Sequence, residues 1–261
     1  MLLEYPLLAA LVVMLIRWFT TPADRKRTEL LIVTYFCAAP ALAFAEALLE
    51  RLVSLLMRYR LERYDLYIYN FDRLLGNPSF VLGRCLASSR FLTAAAVQVY
   101  DAPTLMMVAI FTIYVYLREN EKAIVLKAYC IGLFAEVPIY FAIPVCGPIY
   151  AFPDFPRDPG PVVSHPIVLA AVPNGVPSIH MTLALLCALL LWPWKWGRVV
   201  GVVFVALTLV TILGNGQHYL FDVFAAIPYT WLVWKLAHLR RWPWSRAVPE
   251  PEQQRTEVHT V

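Results

Sequence analysis

The chain has 261 residues, of which 60% are hydrophobic and only 15% charged, with a formal net charge of +4. Its mean hydropathy is +0.62. That balance excludes an ordinary water-soluble domain and points to a bilayer, where each helical crossing takes about 20 apolar residues.

Seven apolar segments read as candidate crossings, over residues 2–19, 30–57, 91–117, 123–145, 178–194, 199–213 and 219–239. The first carries Glu4 in place of a basic start and has no small-x-small cleavage site before Pro22. It therefore reads as an anchor rather than a cleaved signal peptide. Arg17, Arg25, Lys26 and Arg27 follow it and place that end in the cytoplasm. Alternation then puts Arg118, Lys122 and Lys127 on the same side, with Lys195, Arg198, Lys235, Arg240, Arg241 and Arg246. Residues 146–177, with Arg157 as their one basic side chain, fall outside. The expected topology has the N-terminus outside and the C-terminus inside the plasma membrane, with any site on residues 146–240 facing the exterior or periplasm. The expected fold class is all-α, a polytopic membrane helical bundle of six to seven transmembrane helices with one external interfacial helix. Residues 1–245 read as a single membrane domain with a catalytic core over about 146–240, and 246–261 as a disordered cytoplasmic tail.

Residues 58–90 would lie outside although they carry Arg58, Arg60, Arg63, Arg73, Arg84 and Arg90. One reading is an interfacial amphipathic helix, with Leu61, Leu66, Ile68, Phe71 and Leu75 against lipid. A compatible one has Arg84 or Arg90 reaching a substrate phosphate. Gly76-Asn77-Pro78-Ser79 reads as the turn that ends this helix. Prolines then crowd residues 144–177 and dictate a stiff external loop. Its Tyr150, Phe152 and Phe155 make it apolar enough to rest on the membrane and roof a site. The five cysteines show no metal spacing, and a disulfide between Cys85 and Cys146 stays open.

The residues with chemistry sit at the mouths of the last spans. His218 and Asp222 lie four apart on a helix, so the carboxylate can fix one ring nitrogen and leave the other as a lone pair. Taken alone, the pair equally suits a structural closure of a helix end. His180 stands in the first turn after Pro177 and Ser178, where Ser178 is a preferred N-cap and the freed amides form an anion site. One helical hairpin later, His218 returns to the same side. Glu46, Asp101 and Glu136 are acids within spans. Asp101 is placed to line a headgroup pocket, and Glu136 reads as structural. His165 is a weaker competitor of His180, while His238 and His259 lie on the cytoplasmic side.

Pro177-Ser178-Ile179-His180 followed by His218-Tyr219-Leu220-Phe221-Asp222 resembles the type 2 phosphatidic acid phosphatase superfamily. Within it the pattern is most similar to the inositol phosphorylceramide and sphingomyelin synthase branch. Asp72-Arg73-Leu74-Leu75-Gly76 and Gly147-Pro148-Ile149-Tyr150-Ala151-Phe152 resemble bacterial inositolphosphotransferase-like members. The motifs cover about the C-terminal half. The resemblance implies a lipid phosphotransferase or phosphatase that works through a phosphohistidine, with no cofactor and no metal. His218 would be the nucleophile, Asp222 its orienting acid, and His180 the proton donor and acceptor. Ser178 and nearby amides would hold phosphate oxygens, with Arg84, Arg90, Asp101 and Tyr150 as further substrate-binding candidates. The implied partners are the membrane, a lipid phosphate or phospholipid and an alcohol acceptor, with no nucleic acid. The chain departs from the phosphatase branch in having no lysine-arginine-proline element before the first histidine. It also has Ile212 where that branch has an arginine. Two other classes stay open: a transporter, on the embedded acids, and an inactive member of the same fold, on Ile212.

Overall fold

A computed structural model describes residues 25–57, 61–118 and 121–239, with side chains for 37–55 in the first of these stretches. The expected first span, Arg17, Arg58, Arg60, Arg240, Arg241, Arg246 and the tail lie outside the described residues.

The described chain is helical, in the order α1 (Arg25–Met57), β1 (Glu62–Arg63), α2 (Asp65–Leu74), α3 (Pro78–Ala87), α4 (Arg90–Tyr100), α5 (Ala102–Leu117), α6 (Lys122–Phe134), α7 (Val137–Ala142), α8 (Pro148–Ala151), β2 (Ile167–Val168), α9 (Ile179–Leu191), α10 (Lys195–Gly214) and α11 (Leu220–Ala237). At the centre stands α9, which packs against α5, α6, α10 and α11. It is apolar around its circumference, as a helix surrounded by protein must be. Its Leu186, Cys187 and Leu190 are fully buried with Met107, Leu133 and Val233 from the helices around it.

Among the described residues, three helical stretches are long and apolar enough to cross a membrane: Lys195–Gly214, Leu220–Ala237, and α6 with α7 as Lys122–Ala142. The pair α4 and α5 makes a fourth if it counts as one span, although it bends by 46° at Asp101. With 13 residues, α9 is about 20 Å long, short of the roughly 30 Å hydrocarbon layer. The described residues show three or four such helices, and the expected first span lies outside them. Apolarity along a sequence does not separate a helix facing lipid from one, like α9, wrapped by other helices.

Residues 61–90 do not form one interfacial helix. They break into β1, α2 and α3, with a turn at Gly76 and Asn77, both at positive φ. Leu66 and Ile68 face inward, not toward lipid. They join Tyr69, Phe80, Phe152 and Tyr219 in a second small core. Of the proposed lipid-facing set, Leu61, Phe71 and Leu75 are exposed. The cause is polar: Asp65 and Asp72 on the inner face of α2 bind backbone amides of the loop after α7 and of the start of α11. Those bonds turn the whole face onto protein.

The proline-rich loop is anchored to the same helices. The Tyr69 hydroxyl lies 2.7 Å from both Asp158 Oδ1 and the Gly160 carbonyl. Asn77 Nδ2 donates to Asp158 Oδ2 at 2.7 Å, and Asn70 Nδ2 to the Val162 carbonyl at 2.9 Å. Phe152 is buried against Tyr69 and Phe80 instead of resting on the membrane. Cys85 and Cys146 are both free thiols, one exposed and one buried. Burial pushes the Cys146 thiol up to about 12.

Candidate active site

The site forms where α9 and α11 begin. Ser178 takes an extended backbone conformation, and its hydroxyl accepts the Met181 N–H at 3.3 Å, which starts α9. The Ser178 N–H donates to the Asp222 carbonyl at 3.3 Å, so the two motifs touch through their backbones. His218 lies in the tight link between α10 and α11. Gly216 turns there at φ +70, and the N–H groups of Gln217 and His218 both donate to the Ile212 carbonyl. The Ser79 hydroxyl donates to the His218 carbonyl at 3.0 Å and pins the link to α3.

His218 Nδ1 stands 3.2 Å from Asp222 Oδ2, and both side chains are almost completely buried. Asp222 Oδ2 also accepts the Tyr219 N–H, so it serves as the acceptor of the pair, with the hydrogen on Nδ1 and the lone pair on Nε2. Burial pulls the imidazole down to about 4, with the Gly175 carbonyl acting in the opposite direction. The ring is therefore neutral at ordinary pH. The His180 ring centroid lies 5.8 Å from that of His218. It stacks on Tyr100 at 3.9 Å and 29°. Its Nδ1 is buried without a hydrogen-bond partner, as is Asp222 Oδ1. Buried polar atoms without a partner are the exceptions that a ligand or water satisfies.

The two helix starts differ. At α11, carboxylates already occupy the amides. Tyr219 N–H donates to Asp222 Oδ2 at 2.9 Å, while Leu220 and Phe221 donate to Asp72 at 2.5 and 3.0 Å. Burial pushes Asp72 up to about 7 despite those bonds. Asp65 accepts from the amides of Cys146 and Gly147, stands 3.3 Å from the Tyr219 hydroxyl, and is raised to about 6, again chiefly by burial. At α9 no carboxylate caps the turn, and Ser178 takes the Met181 amide alone. The first-turn amides there remain the anion-binding end.

The other sequence-proposed residues fall at varied distances from this centre. The Tyr150 hydroxyl donates to Gln217 Oε1 at 3.1 Å, one residue from His218. Asp101 follows Tyr100 at the bend between α4 and α5, one residue beyond the ring that stacks on His180. Ser178 is fully buried in its capping role. Arg84 is exposed on α3. Against the burial of Asp158, hydrogen bonds from Asn77, Gly160 and Tyr69 and the charge of Arg84 hold that carboxylate below its ordinary value. Arg90 is exposed at the first residue of α4, about 15 Å along the axis from Tyr100. Among the described residues, neither arginine forms an ion pair with the histidine–aspartate cluster. Glu136 is fully buried and accepts from the Tyr140 hydroxyl, which also lies 3.3 Å from the Pro177 carbonyl. His165 is exposed, with Nδ1 on the Val163 carbonyl. No group of His, Cys, Asp and Glu able to hold a metal occurs among the described residues.

Sequence reading missed Asp65, Asp72 and Tyr100. The acids sit at i and i+7 on the buried face of α2 with Tyr69 between them. A carboxylate in the place of an apolar stripe residue was the available signal.

The sequence profile of the PAP2 superfamily matches residues 66–236, well over half of the chain. The match starts in α2 and ends in α11, so it extends well before the C-terminal half that carries the histidine motifs. No curated protein and no solved structure matches the chain. With both histidines and Asp222 inside the matched region, the chain belongs to the PAP2 superfamily, whose members carry out phosphatase- or phosphotransferase-type chemistry on phosphate esters.

Proposed function

We propose that this protein is an integral membrane enzyme that moves a phosphoryl or phospho-headgroup of a lipid by way of a phosphohistidine on His218, at the extracytoplasmic face. The observation that carries the reading is the convergence of the two imidazoles, 5.8 Å apart, with Asp222 on one of them. His218 Nε2 attacks phosphorus, and the phosphorus–oxygen bond to the leaving alcohol breaks. Asp222 holds the Nδ1 hydrogen and balances the charge that develops on the ring. His180, protonated while the anionic phosphate is bound beside it, gives that proton to the leaving oxygen and becomes neutral. In the second half, neutral His180 takes a proton from water or an acceptor alcohol, whose oxygen attacks the phosphohistidine and frees His218. The amides at the start of α9 meet the phosphate oxygens. Asp101 and Tyr150 line the approach, and Arg84 and Arg90 supply outer positive charge.

Ile212 supports the transferase side of the family, close to the inositol phosphorylceramide synthase branch. It is fully buried where the phosphatase branch places a clamping arginine. The same side chain favours a second reading, a member that kept the fold without turnover. One experiment separates these outcomes. Purified protein is incubated with labelled lipid monophosphates and phosphodiesters, with and without an acceptor alcohol. Label released to water marks a hydrolase, and label moved to the alcohol marks a transferase. Absence of turnover on every substrate would sink the enzymatic reading.

A further inference from the structure

The end of the bundle away from the histidines holds a concavity, with charged side chains among apolar ones in its lining, that the chemistry above does not use. Helix α9 runs about 20 Å from the site to this end. Here α5, α9 and α11 finish and α6 and α10 begin. A cavity of about 300 Å³ opens between them, lined among others by Arg118, Glu121, Trp192, Arg198, Trp234 and His238.

We propose that this pocket binds a phosphate-ester anion. The helix ends of α5, α9 and α11 are carboxyl ends, whose free carbonyls repel anions, but side chains answer carbonyls at the ends of α9 and α11. Arg198 Nε donates to the Trp192 carbonyl at 2.8 Å, and His238 Nδ1 donates to the Trp234 carbonyl at 2.8 Å. That uses one of the five donors of the Arg198 fork. Arg198 forms no ion pair among the described residues. Its guanidinium lies 5.7 Å from the Trp192 ring centroid, which holds it at the rim. Arg118 sits 5.8 Å from the Trp194 ring centroid and pairs with Glu121 at 2.8 Å. That pair is partly exposed, and a bidentate phosphate can displace such a carboxylate. Among the described lining residues, two guanidiniums stand against one carboxylate, and tryptophans flank them. A volume of this size admits a phosphate headgroup, and basic, tryptophan-rich pockets at helix ends suit the anionic surface of a bilayer. Two sources share this chemistry, an anionic phospholipid and free phosphate.

The test uses the full chain in a neutral detergent, with dioleoyl phosphatidylglycerol, dioleoyl phosphatidylcholine and inorganic phosphate as probes, binding being read by native mass spectrometry. Phosphatidylglycerol should bind more tightly than phosphatidylcholine. R118Q/R198Q should weaken it about tenfold or more, and R118K/R198K should keep part of it. E121Q, which removes the competing carboxylate, should tighten it, a gain that misfolding cannot produce. Displacement of the lipid by phosphate assigns the site to the anion alone; resistance to phosphate assigns it to the lipid ester. Equal binding of the two lipids, or affinities unchanged in both R118Q/R198Q and E121Q, overturns the proposal.

Discussion

Asp72 offers the sharpest test of how the site is held. Its carboxylate takes the amides of Leu220 and Phe221, the first two residues of α11, and is itself 2% exposed. Asp72→Ala strands two buried donors next to His218. At about 1 to 3 kcal/mol for each unsatisfied group, partly relieved by water, the loss should be about 2 to 4 kcal/mol. Asp72→Asn keeps one acceptor oxygen in place and should cost about 1 kcal/mol. Denaturation in detergent, followed by tryptophan fluorescence, reads both. Turnover should follow the same order: kcat falls with little change in KM, by up to about a hundredfold for the alanine variant, since a shift of about 1 Å at His218 is enough. pH adds an independent check. Burial raises the Asp72 carboxyl from 3.8 to about 7 in the folded protein. The folded state therefore binds more protons than the unfolded one between those values. The corresponding stability is fully present below about 4 and is lost as pH rises through about 7. Asparagine does not titrate, so the gap between wild type and Asp72→Asn should widen on acidification from pH 8 to 5. An alanine variant that melts and turns over like wild type would refute the reasoning.

Three further outcomes follow from the site. His180→Gln should slow release of an alkyl alcohol by about 10² to 10⁴, yet leave phosphoenzyme formation from a nitrophenyl ester largely intact, because that leaving group needs no proton; equal losses on both esters would remove His180 from the acid role. With the nitrophenyl ester, whose leaving group needs no proton from His180, kcat/KM should rise as pH passes about 4, where burial holds His218, and be flat above pH 5, whereas an acid limb centred near 6.5 would contradict a buried, neutral nucleophile. Gly147 has φ +117, and a Cβ there would stand 2.2 Å from the Gln217 carbonyl oxygen, so Gly147→Ala should cost about 2 to 4 kcal/mol and disturb the link that carries His218; unchanged melting would show that the loop yields freely.

The two histidine motifs were legible because each carries its own local grammar. Pro177 and Ser178 announce a helix start, and the four-residue step from His218 to Asp222 announces a pair that does meet, although His218 stands ahead of α11 and not on it as the spacing suggests. What held them together was not legible. Asp72 finds its amides at Leu220 and Phe221, and Asp65 its own at Cys146 and Gly147, across separations that leave no periodic trace. Tyr100 meets His180 only because the chain bends at Asp101. The arginines of residues 58–90 invited an interfacial helix because amphipathicity is the same whether the apolar face meets lipid or a neighbouring helix. The apolar run at residues 178–194 likewise does not tell that α9 is the enclosed centre of the bundle.

The central claim is covalent, and trapping the intermediate tests it most directly. Wild-type protein is mixed with a labelled lipid phosphate, quenched in base within milliseconds, digested and sequenced. The account predicts a base-stable, acid-labile phosphate on the peptide holding His218, absent from His218→Asn. Turnover without any labelled histidine, or label that persists in the asparagine variant, would contradict it.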